Sequence, residues 1–255
     1  MTRSAAAPAA MIDRVVSVLE SFVGERPLTL ADIARRSQLP RSSTHRILGR
    51  LVELGWVERK GFEYFLGIRM FELGSHTVRQ RGVHEAALPV MVELHRRTGL
   101  TTYLSILDGA EIVHLERIGV RPNPSRSWGV GARQPVETTA PGHSLLVTMP
   151  PNVWPEVGYA TTPTCYSVRS RRELDRELQR VRDRGGIAVD AQGAALGVTV
   201  VAAPIGAEGE SARVALSLCG PTKSMRVEAA VTAVRSAAVD IRYAVSGMPR
   251  HCRTR

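Results

Sequence analysis

Lysine is nearly missing from this chain: of 34 basic residues only Lys60 and Lys223 are lysines, and the rest are arginines. A uniform arginine preference can reflect genome composition, so the placement of the charges counts for more than their number. Cysteine is scarce as well. Cys165, Cys219 and Cys252 are odd in number and far apart, which fits neither a disulfide framework nor a close-spaced zinc site and suits a reducing cytosol. No run approaches the ~18 apolar residues that a bilayer span needs. The opening stretch MTRSAAAPAA lacks the sustained apolar core of a signal peptide. A soluble, cytoplasmic protein is therefore expected.

What is present is size, core material and positive charge. At 255 residues with 44% hydrophobic content, two domains of ordinary size are expected. The formal net charge of +10 favours a polyanionic partner or an anionic surface without choosing between them. Between Arg35 and Lys60 the positive charge is concentrated: Arg35, Arg36, Arg41, Arg46, Arg50, Arg59 and Lys60 stand against only Glu53 and Glu58.

The same region has a readable order. Ile12, Val15, Val16, Leu19 and Phe22 recur at helical spacing and predict a first helix ending near Gly24 and Pro27. In LTLADIARRSQL, Thr29 is placed as an N-cap, with Leu30, Ile33 and Ala34 as the buried stripe. Pro40 then interrupts that helix and opens another over 41–54, whose apolar face carries Thr44, Ile47, Leu48, Leu51 and Val52. At 100° per residue Ser42, Arg46, Gly49, Arg50 and Glu53 lie opposite, with Ser43 and His45 on the flanks. WVERKGFEYFLG alternates apolar and polar residues around Lys60 and Gly61 and predicts a hairpin. Three helices and a hairpin describe a winged helix-turn-helix with its charged face on the second helix of the motif.

That geometry points to DNA, because a helix fits the major groove and its N-terminal side chains reach base edges. Arg41, Ser42, Ser43, His45 and Arg46 occupy that end. Arginine can bridge guanine or phosphate, and short hydroxyls reach phosphates at little ordering cost. Arg59 and Lys60 at the wing tip add expected backbone contacts. The plainer alternative is a solvated helix capped by Ser42. Thr44 is expected to pack or bond back within its own helix.

Beyond residue 68 a mostly helical connector is expected, broken by Gly74, Gly82 and Pro89. LTTYLSILDG and AEIVHLERIG predict two strands around an Asp108–Gly109 turn. A loop with Pro122, Pro124 and Pro135 leads to a short helix near Gly142–Thr148. A polar-faced helix ends at Gly185 and Gly186, two strands rich in β-branched residues flank GAEGES, and a long helix closes the pattern. The sum is an α+β chain whose second domain is an antiparallel sheet with flanking helices.

Enzymatic signals are weak. GHSLL around Ser144 lacks the second glycine of a nucleophile elbow, and GVGARQ lacks the third glycine of a dinucleotide fingerprint. Spacing alone does not assemble His114, His143, Asp108 and Asp190 into a catalytic site. No metal or cofactor is expected, and no catalytic residue. Cys219, at a strand end, is a small buried residue or a redox or ligand-facing thiol. An enzyme or small-molecule sensor with a basic assembly module stays open as the alternative.

The chain resembles the IclR (isocitrate lyase regulator) family of bacterial transcription regulators. The segments that carry the resemblance are LTLADIARRSQLPRSSTHRILGRLVELGWVER, YFLGIRMFELG, TTAPGHSLL, RELQRVRDRGGIAVDAQGAALGVTVVAAPIG and VALSLCGP. It implies a tail over 1–10, a winged helix-turn-helix over 11–68, a linker helix region over 69–98, a GAF-like effector domain over 99–247 and a basic tail over 248–255. It also implies a homodimer, in some cases a dimer of dimers, on double-stranded operator DNA, without a membrane partner. Repression or activation would follow from a small carboxylate or aromatic effector. The effector would meet Thr139, Ala140, Gly142, His143, Asp190, Val198, Val200, Ser217 and Cys219. Three positions depart from the family pattern: His143 replaces a common lysine, Gly193 a common acidic residue, and Val200 a frequent cysteine. Their loss as polar anchors implies a less anionic or more apolar effector than a small dicarboxylate.

Overall fold

The computed structural model describes residues 11–23, 27–79, 82–120, 128–159, 163–206 and 211–246. The predicted tails and the Pro122–Pro124 loop lie outside the described residues. The chain divides into two compact units, 1–80 and 81–255.

The first unit contains α1 (Met11–Glu20), α2 (Leu30–Ser37), α3 (Arg41–Glu53) and α4 (Ile68–Arg79). Strands β1 (Leu28–Thr29), β2 (Val57–Lys60) and β3 (Glu63–Leu66) form a sheet in the order β1-β3-β2. The sequence pattern shows the β2–β3 hairpin but not β1, which is only two residues long. A capping box starts α2: Thr29 Oγ1 accepts from the Asp32 N–H at 3.3 Å, and Asp32 Oδ2 accepts from the Thr29 N–H at 3.2 Å. Pro40 occupies the N-cap position of α3 with no side-chain cap, so the capping by Ser42 that belongs to the plainer alternative is absent.

Ile47, Leu48 and Leu51 of α3 pack with Val18, Phe22, Ile33, Val57 and Tyr64 into one core. Thr44 is buried and donates its hydroxyl to the Pro40 carbonyl at 3.1 Å. The buried stripe of α1 differs from expectation. Val18 and Phe22 are buried, whereas Ile12 and Val16 face outward beside Met11; the helix is apolar on more of its circumference than this core can cover.

The helical stretch expected over 69–98 is two helices, which fall in different units. α4 lies in the first unit, and α5 (Val83–Thr98) belongs to the second, where Ala87, Met91 and Leu94 enter its largest core. Neither Gly74 nor Pro89 breaks its helix. Burial of three α5 side chains in that core offsets the backbone hydrogen bond that Pro89 removes.

The rest of the second unit is β4 (Thr101–Asp108), β5 (Glu111–Ile118), β6 (Arg133–Pro135), α6 (Ala140–Leu146), α7 (Arg171–Asp183), β7 (Ala188–Ala191), β8 (Val198–Ile205), β9 (Val214–Pro221) and α8 (Val227–Ser246). Its sheet is antiparallel in the order β6-β5-β4-β9-β8-β7. Alternation along the strands divides the side chains between two faces. Leu104, Ile106, Val201, Ala203, Leu216 and Leu218 pack against α5 and α8. Tyr103, Ala188, Val198, Val200, Ala202 and Cys219 turn the other way, toward Ala140 of α6 and Val181 of α7.

Candidate functional site

On α3 the residues predicted to read DNA stand clear of the core. Arg41, Ser42, His45, Arg46 and Arg50 are exposed and Ser43 is half-buried. Among the described residues Arg41 and Arg46 have no carboxylate partner, while Arg50 pairs with Glu53 at 2.8 Å. The wing is held by its own side chains. Arg59 Nε donates to the Gly61 carbonyl at 2.9 Å and its guanidinium lies 5.7 Å from the Tyr64 ring centre; Lys60 Nζ lies 5.5 Å from that of Phe65. In the turn between β2 and β3 Phe62 is 84% exposed, a residue the sequence pattern does not single out.

In the second unit the strand register brings much of the predicted effector set onto one sheet face. Asp190 pairs with Val200, and Val200 with Cys219, so these three lie in a row across β7, β8 and β9; Ser217 stands opposite Tyr103 on β4. Thr139 caps α6, accepting from the Gly142 N–H at 3.2 Å. Gly142 is required by close approach, since a Cβ there would stand 2.0 Å from the Val136 carbonyl oxygen.

The predicted residues do not share one cavity. Thr139, Ala140, Val200 and Ser217 line a small enclosed space of about 10 Å³, together with Pro141 of the same Thr139–His143 stretch and with Tyr103, His114, Trp128, Gln134 and Ala194, which the sequence does not point to. His143 and Asp190 line a second, more polar cavity of about 240 Å³ with Ser167, Glu177 and Arg180. Val198 and Cys219 border neither and are buried in the apolar cluster. A larger open groove of about 590 Å³ lies elsewhere on this unit, between the end of α7 and α8, and contains no predicted residue.

His114 reaches the small cavity through a bulge. Leu104 pairs with Glu116 but the next residue, Ser105, pairs with His114, so Leu115 is the extra residue on β5 and the side-chain alternation is reset. Ser105 Oγ and His114 Nδ1 are 2.9 Å apart, and the imidazole centre lies 4.7 Å from that of Tyr103 with the two rings tilted by 42°; the Tyr103 hydroxyl donates to the Trp128 carbonyl at 3.1 Å. Burial pushes the His114 pKa down to about 4, so the ring is neutral near pH 7.

The roles of His143 and Asp190 are partly architectural. His143 Nε2 donates to the Glu137 carbonyl at 2.7 Å. The Asp190 oxygens accept from the Gly193 N–H at 2.7 Å and the Ala194 N–H at 2.8 Å, fixing the turn after β7; burial still pushes its pKa above the ordinary value. Cys219 is 1% exposed, and burial raises its thiol pKa far above ordinary, so the thiolate that a redox switch requires is not populated. Among the described residues no cluster of His, Cys, Asp or Glu could hold a metal ion.

A winged helix-turn-helix followed by a separate α+β unit is the architecture of a transcriptional regulator carrying its DNA-binding and second domains in one polypeptide. The chain belongs to the IclR family: the IclR helix-turn-helix domain matches residues 11–61, and the domain described as bacterial transcriptional regulator IclR C-terminal matches residues 75–243. It is 31% identical over 223 residues to the HTH-type transcriptional regulator XynR of Escherichia coli (strain K12), covering 85% of this chain and 87% of that protein. It is 30% identical over 241 residues to the glycerol operon regulatory protein of Streptomyces griseus, covering 90% and 94%. Among solved structures, an IclR homolog from Microbacterium hydrocarbonoxydans complexed with 4-hydroxybenzoate superposes with a TM-score of 0.80 at 32% identity, covering 93% of this chain and all of that one. No described helix is long and apolar enough to cross a membrane.

Proposed function

We propose that this IclR-family regulator reads operator DNA with the exposed face of α3 and that a planar aromatic effector, at most singly charged, binds on the inner face of the second unit's sheet and changes operator affinity. The carrying observation is that Arg41, Ser42, His45 and Arg46 share the solvent side of a helix whose other side is locked into the core. Exposed arginines without carboxylate partners are suited to guanine edges and phosphates.

The effector class rests on the cavity lining. It contains aromatic and neutral polar side chains and no Arg, Lys, Asp or Glu, and burying an unpaired second charge there would be costly. The 4-hydroxybenzoate bound by the Microbacterium homolog is a molecule of the proposed class. Small-molecule sites usually measure about 300–1,000 Å³, so the effector must widen this cavity as it enters. That requirement supplies a mechanism: an effector that binds only the widened arrangement biases the protein toward it, with a coupling energy of ~1–3 kcal/mol.

Assembly as a homodimer is part of the same proposal. Met11, Ile12 and Val16 on α1 and Ile68 and Phe71 on α4 are exposed apolar residues, the composition expected of a self-association surface. A symmetric dimer favours a palindromic site. Sensing rather than turnover is favoured at the cavity, because His114 is too weak a base near pH 7 to activate Ser105 and no carboxylate bonds its Nε2.

The test is fluorescence anisotropy with the DNA upstream of the protein's own coding region, titrated at several salt concentrations with and without aryl acids. Salt-dependent binding that is lost on deleting residues 1–67 and shifted by an aryl acid is expected. Chemical conversion of the bound acid would overturn the reading in favour of an enzyme, and binding of small dicarboxylates alone would overturn the effector class.

A further inference from the structure

Among the described residues four buried side-chain polar atoms have no hydrogen-bond partner, and His114 Nε2 is the one whose residue lines the small cavity. A buried polar atom left unpaired is destabilising. His114 is only 3% exposed, its other nitrogen is engaged by Ser105, and its ring is braced on Tyr103. Its orientation is thus set by protein groups, and one nitrogen remains available.

We infer that His114 is the specificity-determining residue of the effector site and that it selects aromatic effectors bearing a hydroxyl group, which it hydrogen-bonds through Nε2. This rests on the effector reading given above. The argument for a hydroxyl is one of valence. If Ser105 Oγ–H donates to Nδ1, Nε2 carries the proton and must donate; if Nδ1–H donates to Ser105, Nε2 is a bare acceptor. A hydroxyl satisfies either tautomer. A carboxylate accepts only, and the neutral ring offers no positive charge to offset its desolvation. Tyr103 and Trp128, 6.1 Å apart in an edge-to-face arrangement, add aromatic walls suited to a flat ring.

A site built to hydrogen-bond a hydroxyl rejects the analogue that lacks it, because the site's own polar atom is then left unpaired. The experiment is calorimetry on the full chain with benzoate, the three hydroxybenzoates and the three methylbenzoates, in which methyl replaces hydroxyl at equal size. The best hydroxybenzoate is expected to bind about tenfold or more tightly than its methyl counterpart, and in His114→Phe that ratio is expected to fall to near one. A ratio unchanged in His114→Phe overturns the assignment while leaving the effector reading intact; absence of binding by every aryl acid overturns both. Should His114→Phe fail to fold, the wild-type chain labelled with ¹⁵N at histidine decides. The His114 Nε2 resonance must move on adding the hydroxybenzoate and much less with the methylbenzoate, and equal responses overturn the proposal.

Discussion

Asp190 and Gly193 approach so closely that a side chain at the second position would force the Asp190 carboxyl to move: the Gly193 N–H donates to Asp190 Oδ1 at 2.7 Å, and a Cβ on Gly193 would stand 2.3 Å from that oxygen. The glycine that departs from the family pattern therefore does more than remove an acidic anchor. It lets the Asp190 carboxyl close over the turn. Gly193→Ala is expected to destabilise the second unit by about 1–3 kcal/mol through this clash, read as a lowered urea midpoint. In an Asp190→Ala background the same change should cost much less, and additive effects in that double-mutant cycle would refute the account.

Acid should weaken the fold through His114. Its pKa falls from 6.5 to about 4 on burial, so between those values the unfolded chain binds more protons and stability declines as pH drops. The effect is on the order of 3 kcal/mol by pH 4. Asp190 and Glu137, whose pKa values burial raises, act in the opposite sense above their ordinary range. The difference in pH slope between wild type and His114→Phe, from urea melts at pH 7, 6 and 5, isolates the histidine. Parallel slopes would contradict its neutral burial.

Cysteine reactivity separates the two described thiols. Cys165 is exposed and Cys219 is buried. Mass spectrometry after brief iodoacetamide treatment of the folded protein should find Cys165 alkylated and Cys219 intact until denaturant is added. Rapid modification of Cys219 would revive the redox reading.

At the DNA the two basic elements should behave differently. Arg46→Ala is expected to cost about 1–3 kcal/mol of operator affinity and to relax sequence preference, as for a base contact. Lys60→Ala should weaken all sequences alike and reduce the salt slope by about one. Operator binding by Arg46→Ala equal to wild type would mean that another surface reads the DNA.

The first unit was largely legible in the sequence because its signals are local. Thr29 and Asp32 stand three residues apart, Pro40 starts α3, and the spacing of Thr44, Ile47, Leu48 and Leu51 defines which side of that helix is buried. The buried stripe of α1 departs from the spacing because periodicity shows that a helix has an apolar side, not how much of it a small core will cover. The candidate site in the second unit is legible in the sequence only in part. Thr139, Ala140, Val200 and Ser217 line the small cavity, yet Tyr103 and His114 were passed over although both strands were recognised. The bulge that turns His114 inward depends on the pairing of β5 with β4, and no pattern within either strand announces it.

Residues close in the chain settled by themselves the helices, their caps, the wing and the separation of a charged side from an oily one, since hydrogen bonds and periodicity over a few positions suffice for each. Only tertiary structure decided that α5 belongs to the second unit, that Asp190 and His143 stand apart from the small cavity, and that a neutral histidine lines that cavity with one nitrogen unpaired. Those outcomes depend on strand register and on exclusion of water by distant segments, which act between residues that the linear sequence does not bring together.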